Sequence, residues 1–158
     1  GAQAQTDTDR DEPKLCPDPG PDRPGSGRSA DAVAYQAYVS TLVNPDLPTP
    51  PGMAVALYSS SRGNDVYFDD CRHTDGVMIE AKGPGYEDLI ESGRKNEKFK
   101  KLIDKKLVGQ ANDQLDAAQG RPIEWYFGEK GAADYVRELF RGDTRLCKIK
   151  IIYMPMPR

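Results

Sequence analysis

Val66-Tyr67-Phe68-Asp69-Asp70-Cys71 and Val77-Met78-Ile79-Glu80-Ala81-Lys82 are two short, largely apolar runs separated by Arg72-His73-Thr74-Asp75, with Gly76 at the exit. Two such runs around a polar turn spell a β-hairpin. Side chains two apart on a strand share a face. Glu80 and Lys82 therefore point one way, with Met78 beside them, while Val77, Ile79 and Ala81 enter an apolar layer. The turn decides which aspartate joins Glu80 and Lys82. With two or four loop residues, Cys71 pairs with Gly76, Asp70 with Val77 and Asp69 with Met78. Cross-strand partners share a face, so Asp69 then lies on the Glu80/Lys82 side and Asp70 faces away. A three-residue loop reverses this. Asp69 is the favoured partner, and Asp75 reads as a turn residue.

An acid opposite Glu-x-Lys suits phosphodiester hydrolysis. That reaction uses a hard cation held by oxygen ligands. Asp69 and Glu80 are candidate ligands for Mg²⁺ or Mn²⁺, with the Ala81 carbonyl a third. Lys82 is placed to orient or deprotonate the attacking water and to offset charge in the transition state. The triplet alone carries little weight, since Glu12-Pro13-Lys14 repeats it in a Pro-rich head, and buried Val/Ile opposite Glu/Lys also describes an ordinary surface strand.

Outward from the hairpin, residues 1–29 read as a disordered Pro/Gly-rich head, and 30–158 as one folded domain. Ser29 is an N-cap for a helix over about 30–42. Asn44–Gly52, with four prolines, is a loop. Met53–Tyr58 is a strand. Gly83-Pro84-Gly85 stops the second hairpin strand, and a helical region from Glu87 resumes over Glu97–Gln119. Ile123–Phe127 is a strand, Ala132–Phe140 a helix, and Leu146–Tyr153 a final strand. Helices alternating with strands imply an α/β fold with a mixed sheet.

Gln110 and Gln114, at i and i+4, share a helix face and are candidates to contact a phosphate or a metal-bound water. The cations Arg94, Lys95, Lys98, Lys100, Lys101, Lys105 and Lys106 form a basic cluster. Lys98, Lys101 and Lys105 are the candidates from it for following a phosphate backbone. The chain as a whole is acidic, with net charge −3 and a pI near 5.2, which weighs against a simple electrostatic nucleic-acid binder. Cys16, Cys71 and Cys147 are far apart, and His73 is the one histidine. No zinc motif or disulfide framework is indicated, and free or buried thiols are the expectation over a single disulfide. No apolar run reaches the roughly 18 residues a membrane span needs, so no membrane partner is expected.

Tyr35-Gln36-Ala37-Tyr38-Val39, Phe68-Asp69, Glu80-Ala81-Lys82-Gly83-Pro84-Gly85-Tyr86, Gln110-x-x-x-Gln114 and Arg121-Pro122-Ile123-Glu124-Trp125 together resemble Tox-REase-5. That is a toxin-domain family of the PD-(D/E)xK, restriction-endonuclease-like superfamily. The resemblance covers about residues 30–155, and Glu80–Tyr86 is its most specific part. It implies a central mixed β-sheet flanked by helices and a metal-dependent endodeoxyribonuclease. It also implies a secreted effector delivered into the cytoplasm of a rival bacterium, through a type VI secretion apparatus or a carrier protein, and a cognate immunity protein. Residue by residue, Asp69, Glu80 and Lys82 fall on the catalytic motif, Gln36 on a helix position, and Gln110 and Gln114 on the later Q-x-x-x-Q motif. The sequence departs from the family at Tyr126, where histidine often follows the tryptophan. An RNase, or a non-catalytic binding module of the same fold, are the competing readings. The intact Asp69/Glu80/Lys82 set favours an enzyme.

Overall fold

The computed structural model describes residues 15–23, 25 and 27–157. Ser29 opens the first helix as its chemistry dictates: its hydroxyl accepts the Ala32 N–H at 3.1 Å, and Asp31 sits in the first turn of α1 (Ala30–Val43), where the helix dipole favours an anion. Tyr35, Val39 and Val43, spaced four apart, form its buried side.

β1 (Gly20–Pro21), β2 (Met53–Ser59) and β3 (Asn64–Phe68) make a three-stranded antiparallel sheet in that order. The single strand expected over 66–71 is in fact broken. The chain leaves the first sheet after Phe68 and pairs again only as β4 (Asp70–Cys71), at the edge of a second sheet. Asp69 sits at the crossing. That second sheet has the order β4-β5-β6-β7, with β5 (Met78–Lys82), β6 (Ile123–Phe127) and β7 (Lys150–Tyr153) parallel and β4 antiparallel to β5.

Cys71 pairs with Met78 and Asp70 with Ile79, a register two residues away from the expected one. The Arg72 N–H donates to the Val77 carbonyl at 2.8 Å, so four residues form the turn. A slip of two preserves every facing, where a slip of one would have inverted them.

α2 (Tyr86–Lys95) and α3 (Glu97–Ala118) meet at Asn96, whose side chain caps α3 by accepting the Phe99 N–H. α4 (Lys130–Arg141) follows β6. A 3₁₀ turn over Leu146–Lys148 replaces the start of the expected final strand. α1 packs on one face of the second sheet, where Tyr35, Val39 and Val43 meet Val77, Ile79, Ala81 and Tyr126. The larger core lies on the other face and joins Met78, Ile123, Trp125 and Phe127 to Leu107, Ala111, Val136 and Phe140. Gly83 ends β5 against α1 because nothing larger fits: a Cβ there would stand 2.9 Å from Tyr35 Cβ. The fold is mixed α/β, as expected.

The chain is packed upstream of residue 30. Cys16 and Cys71 form a disulfide, against the expectation of free thiols, and Cys147 is free and exposed. β1 pairs with β2, and the Asp22 N–H donates to the Gly52 carbonyl. Of the head expected to be disordered, residues 1–14, 24 and 26 lie outside the described residues.

Candidate active site

Asp69 lies at the strand break, with its carboxylate against the backbone of β5. Asp69, Glu80 and Lys82 come together there, with exposures of only 2%, 5% and 4%. One Asp69 oxygen accepts the Ala81 N–H at 2.8 Å. The other is 2.9 Å from Nη2 of Arg28.

Glu80 is held by α3. Gln110 Nε2 donates to its Oε2 at 2.8 Å and Gln114 Nε2 to its Oε1 at 3.2 Å. Each amide is itself oriented. The Trp125 indole N–H donates to Gln114 Oε1 at 2.8 Å, and Lys82 Nζ donates to Gln110 Oε1 at 2.7 Å. An indole nitrogen and an ammonium are donors only, so both amides must present nitrogen to Glu80. The two glutamines therefore act first as positioners of Glu80. Their observed hydrogen bonds run to Glu80, the carboxylate expected to hold the metal. Gln114 is completely buried.

Lys82 Nζ also lies 3.5 Å from Glu80 Oε2 and 3.3 Å from the Tyr86 hydroxyl, above the rings of Trp125 and Tyr86. Burial works to lower its pKa, but the charges of Glu80, Tyr86 and Asp69 outweigh burial and hold it above the ordinary lysine range. These contacts suit Lys82 to balancing negative charge beside Glu80. Asp69 shows the opposite strain. Burial, then the nearby Glu80 charge, push its carboxyl up to about 7, against the pull of Arg28, the Ala81 N–H and Lys82.

A hard divalent cation fits this donor set. Two buried carboxylates, Asp69 beside the start of β4 and Glu80 on β5, lie close enough to repel, with Arg28 and Lys82 as their cationic partners. Among the described residues no group of three or more His, Cys, Asp or Glu side chains forms a metal cage. Asp69 and Glu80 are the two carboxylates that would hold such an ion, in the way Mg²⁺ is bound through one or two carboxylates with retained water. The Ala81 carbonyl is compatible with a third ligand. Lys82 directs its carbonyl to the β6 side, toward the Gly128 N–H. Backbone groups alternate along a strand, so Ala81 directs its own toward Asp69, where pairing with β4 has ended.

The other sequence candidates lie elsewhere. Gln36, on α1, donates weakly to the Met53 carbonyl at 3.4 Å and lines an open depression of about 320 Å³ with Pro21, Asp22, Arg28, Val33 and Gly52. Lys98, Lys101 and Lys105 are exposed on the outer side of α3. Lys101 precedes Gln110 by nine residues, which is about half a turn round the helix axis, so this lysine face points away from the carboxylates. His73 is exposed in its turn, and its backbone N–H donates to Asn44 Oδ1. Tyr126 lies on the α1 face and donates to Glu124 Oε1, so the departure there does not touch the site.

Arg28 was not legible as a site residue. It is a lone arginine beside an N-cap, with no periodic or motif signal around it.

A family model described as restriction endonuclease fold toxin 5 matches residues 32–130, which include Asp69, Glu80, Lys82, Gln110, Gln114 and Trp125. No curated protein and no solved structure matches the chain. With a match across most of the chain and the motif residues gathered in one buried cluster, this protein belongs to the Tox-REase-5 family of restriction endonuclease fold toxins.

Proposed function

We propose that the chain is a toxin that hydrolyses DNA phosphodiester bonds with a divalent metal ion, Mg²⁺ or Mn²⁺. The observation that carries this reading is the buried constellation itself. Asp69, at the strand break, lies beside Glu80 on β5, and Lys82 and two oriented amides surround Glu80. Asp69 and Glu80 would hold the cation, which when bound would supply Lewis-acid chemistry toward water and the phosphate. Glu80 is preorganised for that task, because Gln110 and Gln114 fix its plane before anything binds. Lys82, charged and dry, stabilises the negative charge that grows on the phosphoryl oxygens. The buried aromatic floor of Trp125 lowers the local dielectric and strengthens both effects.

Plasmid DNA should be degraded in Mg²⁺ or Mn²⁺ and spared in EDTA, with a structured RNA run beside it. Cleavage that survives full chelation would sink the metal reading. Cleavage of the RNA alone would replace DNA by RNA as substrate.

A DNase toxin is lethal to its producer, so the reading extends to a cognate immunity protein and to delivery by a secretion apparatus or carrier into the cytoplasm of a target bacterium. The exposed lysine face of α3 supports an acidic inhibitor that docks there by electrostatic attraction. Co-expression with the neighbouring open reading frame should abolish toxicity. Charge reversal at Lys98, Lys101 and Lys105 should weaken the complex and reduce its salt dependence. Unchanged affinity and salt dependence would exclude that docking face.

A further inference from the structure

Arg28 is the cation on Asp69, and it does not belong to the core that builds the site. It lies in the link between β1 and α1, one residue before the N-cap Ser29. Its Nη2 is 2.9 Å from Asp69 Oδ1 and 3.4 Å from Asp22 Oδ2. With 29% of its side chain exposed, it is far more open than Asp69 at 2%. Lys82 does not substitute for it, because its ammonium contacts Glu80, Gln110 and Tyr86.

Asp69 has limited room. Its Oδ2 accepts the Ala81 N–H, so Oδ1 is the oxygen that faces incoming ligands, and the guanidinium already occupies that side. Two cations on one carboxylate oxygen repel strongly in a buried setting. A divalent ion held by Asp69 and Glu80 would compete with Arg28 for that oxygen. The displaced guanidinium has a place to go. It lines the open depression shared with Asp22, Gln36 and Gly52, and Asp22 already touches it there. A planar fork of donors turned into that depression is the geometry that grips phosphate oxygens in pairs.

We propose that Arg28 is an exchangeable counter-ion of the site, which neutralises Asp69 in the metal-free protein, yields that carboxylate to the divalent ion, and then pairs with a backbone phosphate of the nucleic acid in the depression it lines. This rests on the metal-nuclease reading of the same site, and it adds a substrate-binding residue that lies upstream of the family match.

The test uses the whole chain with Arg28→Ala and Arg28→Lys, chosen because the side chain is outside the core and the lysine keeps its charge. Isothermal calorimetry with Mn²⁺ should show Arg28→Ala binding the ion about tenfold more tightly than wild type, with Arg28→Lys between them. Fluorescence anisotropy of a labelled DNA duplex in Ca²⁺ should show the reverse order, with affinity lowest for Arg28→Ala and partly restored in Arg28→Lys. Equal Mn²⁺ affinity in all three proteins would overturn the exchange. Tighter Mn²⁺ binding with unchanged or stronger duplex binding would overturn the phosphate contact and leave Arg28 as a plug. If the wild type binds Mn²⁺ without cleaving plasmid, the nuclease reading fails separately, and the calorimetric comparison still decides the exchange.

Discussion

Asp69 and Asp70 are neighbours in sequence and both are buried, yet they serve opposite faces of the sheet. Asp70 points toward α1 and sits in a closed nest of neutral donors. Ser40 Oγ reaches it at 2.5 Å, Thr49 Oγ1 and the Cys71 N–H at 2.8 Å, and Asn44 Nδ2 at 3.1 Å. Asp69 lies against the Ala81 N–H beside a second carboxylate, Glu80, with Arg28 as a partner drawn from outside the core. The same residue type thus makes a structural anchor where donors are many and fixed. It makes a candidate metal ligand where the neighbour has like charge and the compensating cation comes from a partly exposed side chain.

The largest difference should appear on replacing each aspartate by alanine. Asp69→Ala should abolish Mn²⁺ binding and reduce plasmid cleavage by at least as much as loss of a positioned catalytic group, about 10²–10⁴-fold. Lys82→Ala should fall in the same range while retaining the metal, as calorimetry would show. Wild-type turnover in Asp69→Ala would remove the functional half of the comparison.

Asp70→Ala breaks the other half. It strips the shared acceptor from Ser40, Asn44 and Thr49 in a sealed site, and should cost about 3 kcal/mol or more of folding free energy by denaturant titration. From the hairpin pattern alone, with Asp70 merely facing away, the same change would be mild. Turnover of the folded fraction should fall far less than in Asp69→Ala. A mild loss of stability would show that the nest is looser than its distances.

A subtler contrast lies in pH. A folded carboxyl pushed up to about 7 by burial and by Glu80 keeps its proton where the unfolded chain, near 3.8, has lost it. The folded state then binds more protons through that window, so this group's contribution to stability is full below about 4 and is lost as pH rises toward 7. Thermal melts across the window should show the fall, and Asp69→Asn should flatten it. An unchanged slope in that variant would mean that Arg28 keeps Asp69 ionised throughout.

The smallest effect belongs to the lysine face of α3. Reversing Lys98, Lys101 or Lys105 should leave plasmid turnover near wild type and change the salt slope of duplex binding by less than about one per residue. A large loss of turnover would bring that face to the substrate after all.

Much of this site is written in local sequence. The period-two pattern of β5 fixes Glu80 and Lys82 on one face, and the period of α3 fixes Gln110 and Gln114 together, because both periodicities are properties of the backbone. Parity across the hairpin selects Asp69 over Asp70 and survives a register two residues off, since any even slip keeps the facing. What local pattern does not carry is what sits opposite each face. That the two glutamines would close on Glu80, with Trp125 orienting one of them, depends on how α3 lies over the sheet. The break at Asp69 comes from the chain changing sheets. The Cys16–Cys71 disulfide joins residues 55 apart in sequence, and Arg28 reaches Asp69 from 41 residues upstream. Such contacts are set by packing between distant segments. Short-range propensity has no term for them, so only the tertiary structure decided which cation faces the buried acids.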